Sequence, residues 1–162
     1  MTETAQVKKV RLEELLPIIR EKLDAGGQVT IPVTGTSMKP TLVAGRDSVT
    51  LTRLEGSPKR LDLPLYRRRN GQFVLHRIVS LEPDGSFTCC GDHQWVREPG
   101  LRPEQIVGMV CQIERQDRVV SVRAPGHRLW VRLWVWLLPC RRMLFRLARI
   151  PGWLGKKLGR TG

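Results

Sequence analysis

QVTIPVTGTSMKPTLVAGRDSVTLTRL, residues 28–54, decides the fold. Two β-rich segments, Gln28 to Thr34 and Ser48 to Leu54, enclose a loop punctuated by Gly35, Pro40 and Gly45. The same rhythm continues downstream in LPLYRR (63–68), QFVLHRIVSL (72–81), SFTCC (86–90), IVGMVCQIE (106–114) and RVVSVR (118–123). Between these segments stand Asn70-Gly71, Pro83-Asp84-Gly85 and Gln116-Asp117. Asn-Gly and Asp-Gly are hairpin signals, and seven short strands at this spacing predict a mainly β fold, a coiled antiparallel sheet or small barrel. A doubly wound sheet would need helices between the strands.

Upstream, Leu12, Leu15, Leu16, Ile19 and Leu23 make one apolar stripe, which predicts an amphipathic helix over about 11–24 ended by Gly26-Gly27. Pro17 removes a backbone donor there, so the helix either starts near it or kinks. Downstream of Ala124-Pro125-Gly126 the β pattern stops. The chain therefore divides into a domain over 1–126, with its β body at about 28–123, and a tail over 127–162.

The chain has 162 residues, a net charge of +13, 41% hydrophobic and 27% charged residues. That length and apolar content fit one core and exclude a disordered chain or a disulfide-stapled miniprotein. All fifteen acids precede residue 118, whereas Arg123 to Gly162 carries ten Lys or Arg and four of the five Trp. The longest uncharged run in the tail, Leu133 to Cys140, is far short of the roughly twenty residues that span a bilayer. Split at Pro139, the tail gives two short helical pieces suited to an anionic membrane surface, with docking on the body or on a protein partner as the alternatives. MTETAQVKKVRLEELL has no apolar signal-peptide core, so a cytoplasmic location is expected, peripheral on the inner membrane face if the tail binds lipid. Cys89-Cys90, Cys111 and Cys140 have neither disulfide nor zinc spacing, so free thiols, no metal and no cofactor are expected.

Three stretches could carry chemistry: Gly35-Thr36-Ser37-Met38-Lys39-Pro40, Val74-Leu75-His76-Arg77-Ile78-Val79, and Gly91-Asp92 with Glu98 six residues on. A serine hydroxyl needs a nearby base to take its proton, a neutral imidazole can do so near pH 7, and a carboxylate behind the ring fixes its tautomer. Ser37, His76 and one of Asp92 or Glu98 supply those three roles, and the spacing leaves the choice of acid open. His93 is a rival base. Tyr66-Arg67-Arg68-Arg69 is either a phosphate-binding patch or a charged, soluble hairpin end.

In this order the three stretches resemble the signal peptidase I and LexA-like serine peptidase superfamily. Ser37-Met38-Lys39-Pro40-Thr41-Leu42 followed by Gly45-Arg46-Asp47-Ser48-Val49 is similar to its nucleophile box, and the body from about 28 to 115 follows the family order. His76 stands where most members place Lys, as in the variant typified by the endoplasmic reticulum signal peptidase. The resemblance implies a serine endopeptidase that cleaves a leader or signal-type peptide after small side chains. The peptide would add as an extended strand beside Gln28 to Thr34. Pro32, Val33 and Thr34 would contact it, and Gly35, Thr36 and Met38 would frame the oxyanion and substrate site. Gly35 replaces the Ser that signal peptidases often carry, so the Ser37 N–H would serve with another donor.

Two other readings compete. A noncatalytic peptidase-like scaffold would act by binding anionic membrane or nucleic acid through its tail; the Leu, Trp and Phe content argues against nucleic acid. A self-cleaving regulator is the third, weakened by the missing Lys and by the lack of an Ala-Gly cleavage loop.

Overall fold

The computed structural model describes residues 12–116 and 118–140. The order of elements is α1 (Leu12–Asp24), β1 (Val29–Pro32), β2 (Asp47–Thr52), β3 (Pro64–Arg67), β4 (Phe73–Leu75), β5 (Arg77–Leu81), β6 (Phe87–Cys90), β7 (Glu98–Leu101), β8 (Ile106–Arg115), β9 (Arg118–Ser121) and α2 (Pro125–Trp136). The protein is mainly β, with a curled antiparallel sheet and a helix near the N-terminal end.

Ten-residue β8 organises the larger sheet, pairing with β2, β3 and β9, while β1 and β4 form the far edges in the order β1-β2-β8-β3-β4. Strands β5, β6 and β7 form a second sheet. Each pairing is antiparallel, and bulges at Thr50/Leu51 and Leu65/Tyr66 bend the strands that flank β8.

Helix α1 runs unbroken through Pro17 and buries Ile19 and Leu23 in a core shared with Val33, Met38, Leu42, Val49, Leu51, Leu65 and Ile113. Gly108 permits that docking: a Cβ there would lie 3.0 Å from a Leu23 methyl group. The helix ends where Gly26 turns left-handed, at φ +79°, and the Gly27 N–H caps the Lys22 carbonyl. A second cluster, Tyr66, Ile78, Phe87, Cys89 and Leu101, joins the two sheets.

The strand expected over 72–81 is two strands in two sheets, broken at His76. β4 pairs with β3 in the larger sheet, and β5 pairs with β6 in the smaller. β7 was not expected, because Pro99 and Gly100, the latter at φ +72°, disguise it as a turn.

The tail begins as helix α2 at Pro125, and Val131, Val135 and Leu138 pack on Val79 and Cys90. Its second expected helical piece, beyond Pro139, lies outside the described residues but for Cys140. Among the described residues no helix is long and apolar enough to cross a membrane.

Candidate active site

Ser37 lies in the loop between β1 and β2, fastened in the core on both sides. Val33 and Met38 are buried and Leu42 is fully enclosed, while Ser37 between them is half-buried. Asp47 closes the loop by accepting the Val43 N–H at 2.9 Å and both nitrogens of an Arg46 fork. Alternation of apolar and polar residues thus presents the hydroxyl at the surface of a rigid turn. Among the described residues its Oγ has no hydrogen-bond partner, and neither do the main-chain N–H groups of Ser37 and Met38.

Val33 and Met38 do not line a substrate site with their side chains, as the sequence suggested, because both are packed in the core. They offer only main chain. Pro32, Thr34, Gly35 and Thr36 are exposed along the same stretch.

The Ser37 turn leans on the turn after β6. The His93 N–H donates to the Ser37 carbonyl at 2.7 Å, so this histidine holds the serine loop through its backbone. A Cβ on Gly91 would lie 2.7 Å from the same carbonyl and 2.8 Å from Gln94 Oε1. Gly91→Ala should therefore push the Ser37 turn outward, since the Gln94 side chain can swing aside but the Ser37 carbonyl is backbone and has little room to yield. Its expected result is a roughly hundredfold loss of activity with secondary structure kept, read by peptide turnover and circular dichroism. Turnover at the wild-type rate would show that Ser37 tolerates the shift or takes no part.

Among the described residues no hydrogen bond joins the side chains of His76 and Ser37, and the two are linked through the turn after β6. His76 is the residue between β4 and β5, and its neighbour Arg77 pairs with Cys90, next to Gly91. The imidazole is 5% exposed. Its Nδ1 faces the Tyr66 hydroxyl at 3.4 Å and Glu98 Oε2 at 4.0 Å. Tyr66 donates its single proton to Glu98 at 2.7 Å, so toward His76 its oxygen can only accept. This assigns the ring proton to Nδ1 and leaves the lone pair on Nε2. Arg68 grips Glu98 with two 2.7 Å bonds. Burial pushes the Glu98 carboxyl up, but the bonds from Arg68 and Tyr66 outweigh it and hold the group below its ordinary value. Burial pushes the His76 imidazole down to about 4, against the opposing pull of Glu98. His76 is therefore neutral at pH 7.

Of the two candidate acids, Glu98 lies 4.0 Å from the imidazole Nδ1, while the Asp92 carboxylate is held by Arg77 and acts on the ring through its charge. Asp92 accepts a fork from Arg77 at 3.0 and 2.7 Å, with both side chains 2% exposed. Arg77 also donates to the Leu61 carbonyl at 3.1 Å. Asp92 is thus a structural anchor for the turn that carries Gly91 and His93.

Tyr66 and Arg68 were not among the residues expected in the site. Their sequence signal is the period of two: along β3 and its extension they share a face, whereas Arg67 between them lies 5.7 Å over the Phe73 ring.

A cleft of about 670 Å³ lies elsewhere, between the 52–63 segment, β8 and the start of α2; neither Ser37 nor His76 lines it. Among the described residues no group of His, Cys, Asp or Glu could hold a metal ion, and none of the four cysteines is in a disulfide. Compared with family models, with curated proteins and with solved structures, the chain matches none.

Proposed function

We propose that the protein is a serine endopeptidase of the signal peptidase and LexA-like kind, with Ser37 as nucleophile, His76 as general base and Glu98 as the supporting acid. The observation that carries the reading is the corner around the turn after β6. There, a buried neutral imidazole with its Nδ1 committed to Tyr66 stands next in the chain to Arg77, which anchors the Asp92 turn that holds the serine loop, and the Ser37 hydroxyl and the Ser37 and Met38 N–H groups have no hydrogen-bond partner among the described residues. Ser37 Oγ would attack the scissile carbonyl carbon while its proton passes to His76 Nε2 and then to the leaving amine. Water, deprotonated by the same nitrogen, would release the acyl group and restore Ser37. The Ser37 and Met38 N–H groups are the candidate donors to the oxyanion. Glu98, 4.0 Å from Nδ1 and reached through Tyr66, favours the imidazolium form in each transfer.

The substrate in this proposal is an extended leader or signal-type peptide. Among the described residues β1 pairs with β2 alone and forms one edge of the larger sheet, and its chain leads directly to Ser37. A peptide added at that edge needs no deep cavity, because affinity comes from main-chain hydrogen bonds. Incubation with an unbiased peptide library, read by mass spectrometry, tests the reading. Cleavage by the wild-type chain and none by Ser37→Ala is expected, and no cleaved bond in either would overturn it.

The pH profile separates the base from its rivals. The base must be unprotonated to act, and burial lowers its proton affinity, so kcat/KM should be level from about pH 5 upward and fall only as pH drops through about 4. That differs from the rise through about 6 to 7 that an ordinary imidazole would give. A limb centred near 8.5 or above would instead implicate a lysine such as Lys39. The same burial couples to stability: the unfolded chain takes up the His76 proton first, so this contribution is complete above about 6.5 and roughly 3 kcal/mol is lost as pH falls toward 4.

A further inference from the structure

Helix α2 is apolar on two opposite sides. Its inner side is buried on Val79 and Cys90, and the Trp134 indole N–H donates to the Asp92 carbonyl at 2.9 Å. Its outer side carries Leu129, Trp130, Leu133 and Trp136, exposed by 60, 45, 53 and 76%. At 100° per residue these four share one face of the helix, while Val131, Val135 and Leu138 lie opposite, and Arg128 and Arg132 run along the border between them. Trp130 is stacked on Trp134 at 5.5 Å and held at the rim of that face. Single exposed leucines are ordinary on a protein surface; four large apolar side chains on one helical face are not.

Charge selects what covers this face. No acid follows Asp117, and ten Lys or Arg lie from Arg123 onward. A second copy of the chain would bring two such segments together against their mutual repulsion. A nucleic acid would meet the arginines but leave Leu133 and Trp136 against phosphate. We propose that the outer face of α2 docks on an anionic lipid bilayer while its inner face stays on the body. Leu129 and Leu133 would enter the acyl boundary, Trp130 and Trp136 would sit at headgroup level, and Arg128 and Arg132 would meet lipid phosphates. Self-docking and membrane binding, which the sequence set as alternatives, then use different sides of one helix. The docking does not depend on the chemistry of Ser37. Where the peptidase reading also holds, the Trp134 bond to the Asp92 turn would keep the catalytic corner near the bilayer.

The test is co-sedimentation of the full chain with vesicles of phosphatidylcholine alone, or mixed with phosphatidylglycerol. Binding at least about tenfold stronger to the mixed vesicles is expected, with about a fivefold loss for each of Arg128→Gln and Arg132→Gln. Leu133→Ser with Trp136→Ser should weaken partitioning by about tenfold or more, with the thermal midpoint unchanged because both side chains already face solvent. As a second measurement, brominated phosphatidylglycerol should quench tryptophan emission in the wild-type chain but much less in Trp130→Phe/Trp136→Phe. Wild-type binding or quenching in the outer-face variants, no binding by the wild-type chain, or sedimentation that needs no vesicles would each overturn the proposal.

Discussion

Ser37→Ala should lower peptide turnover by about 10⁴- to 10⁶-fold, and His76→Ala by nearly as much. The two effects should not add: a double variant is expected to be no slower than the worse single one, because a base without its nucleophile has no proton to take. The fold should persist in Ser37→Ala, with a thermal midpoint within about 2 °C of wild type, since the half-buried hydroxyl holds no bond among the described residues. Single-turnover measurement with a peptide taken from the library experiment would read the effect. Turnover near the wild-type rate in either variant would refute the assignment.

The second large effect is on stability. Arg77 and Asp92 form a two-bond ion pair at 2.7 and 3.0 Å, with each side chain only 2% exposed. Removing one partner leaves an uncompensated buried charge, so Asp92→Ala and Arg77→Ala should each cost about 3–5 kcal/mol, measured by denaturant unfolding. Replacing both with apolar residues, Arg77→Met with Asp92→Leu, should recover much of that loss. A single-variant cost below about 1 kcal/mol would show that the pair is solvated. Arg68 and Glu98 form the contrasting case: their side chains are 34 and 26% exposed, and water screens their attraction, so Arg68→Met should cost little stability.

Turn chemistry made much of the fold legible in the sequence. Asn70-Gly71 and Asp84-Gly85 separate strands where expected, and the 12–24 stripe forms the helix that its spacing implied. Two features were hidden for physical reasons. QFVLHRIVSL contains no turn residue, so nothing local marks His76 as the place where the chain leaves one sheet for another; that break follows from pairing with distant β3 and β6. β7 carries Pro99 and Gly100, which read as a loop until β6 supplies its hydrogen-bond partner. At the site, Val33 and Met38 beside Ser37 were read as substrate contacts, because nothing local shows that both pack in the core and fasten the turn. The choice between Asp92 and Glu98 was not readable, because Arg77 occupies one acid and Tyr66 with Arg68 the other, and both outcomes depend on long-range approach. Tyr66 and Arg68 themselves were concealed within a run of arginines whose alternate members point to opposite faces.

The bonds that assemble the corner join residues far apart along the chain: Ser37 to His93, Tyr66 and Arg68 to Glu98, and Asp92 to Trp134. Each such closure must be made against the entropy of the intervening chain. During synthesis, the segment bearing Ser37 leaves the ribosome well before Glu98 and Trp134 are added. Under the proposed mechanism a nascent chain therefore holds a serine with no base beside it, and it cannot cut itself or its neighbours until nearly the whole body has emerged.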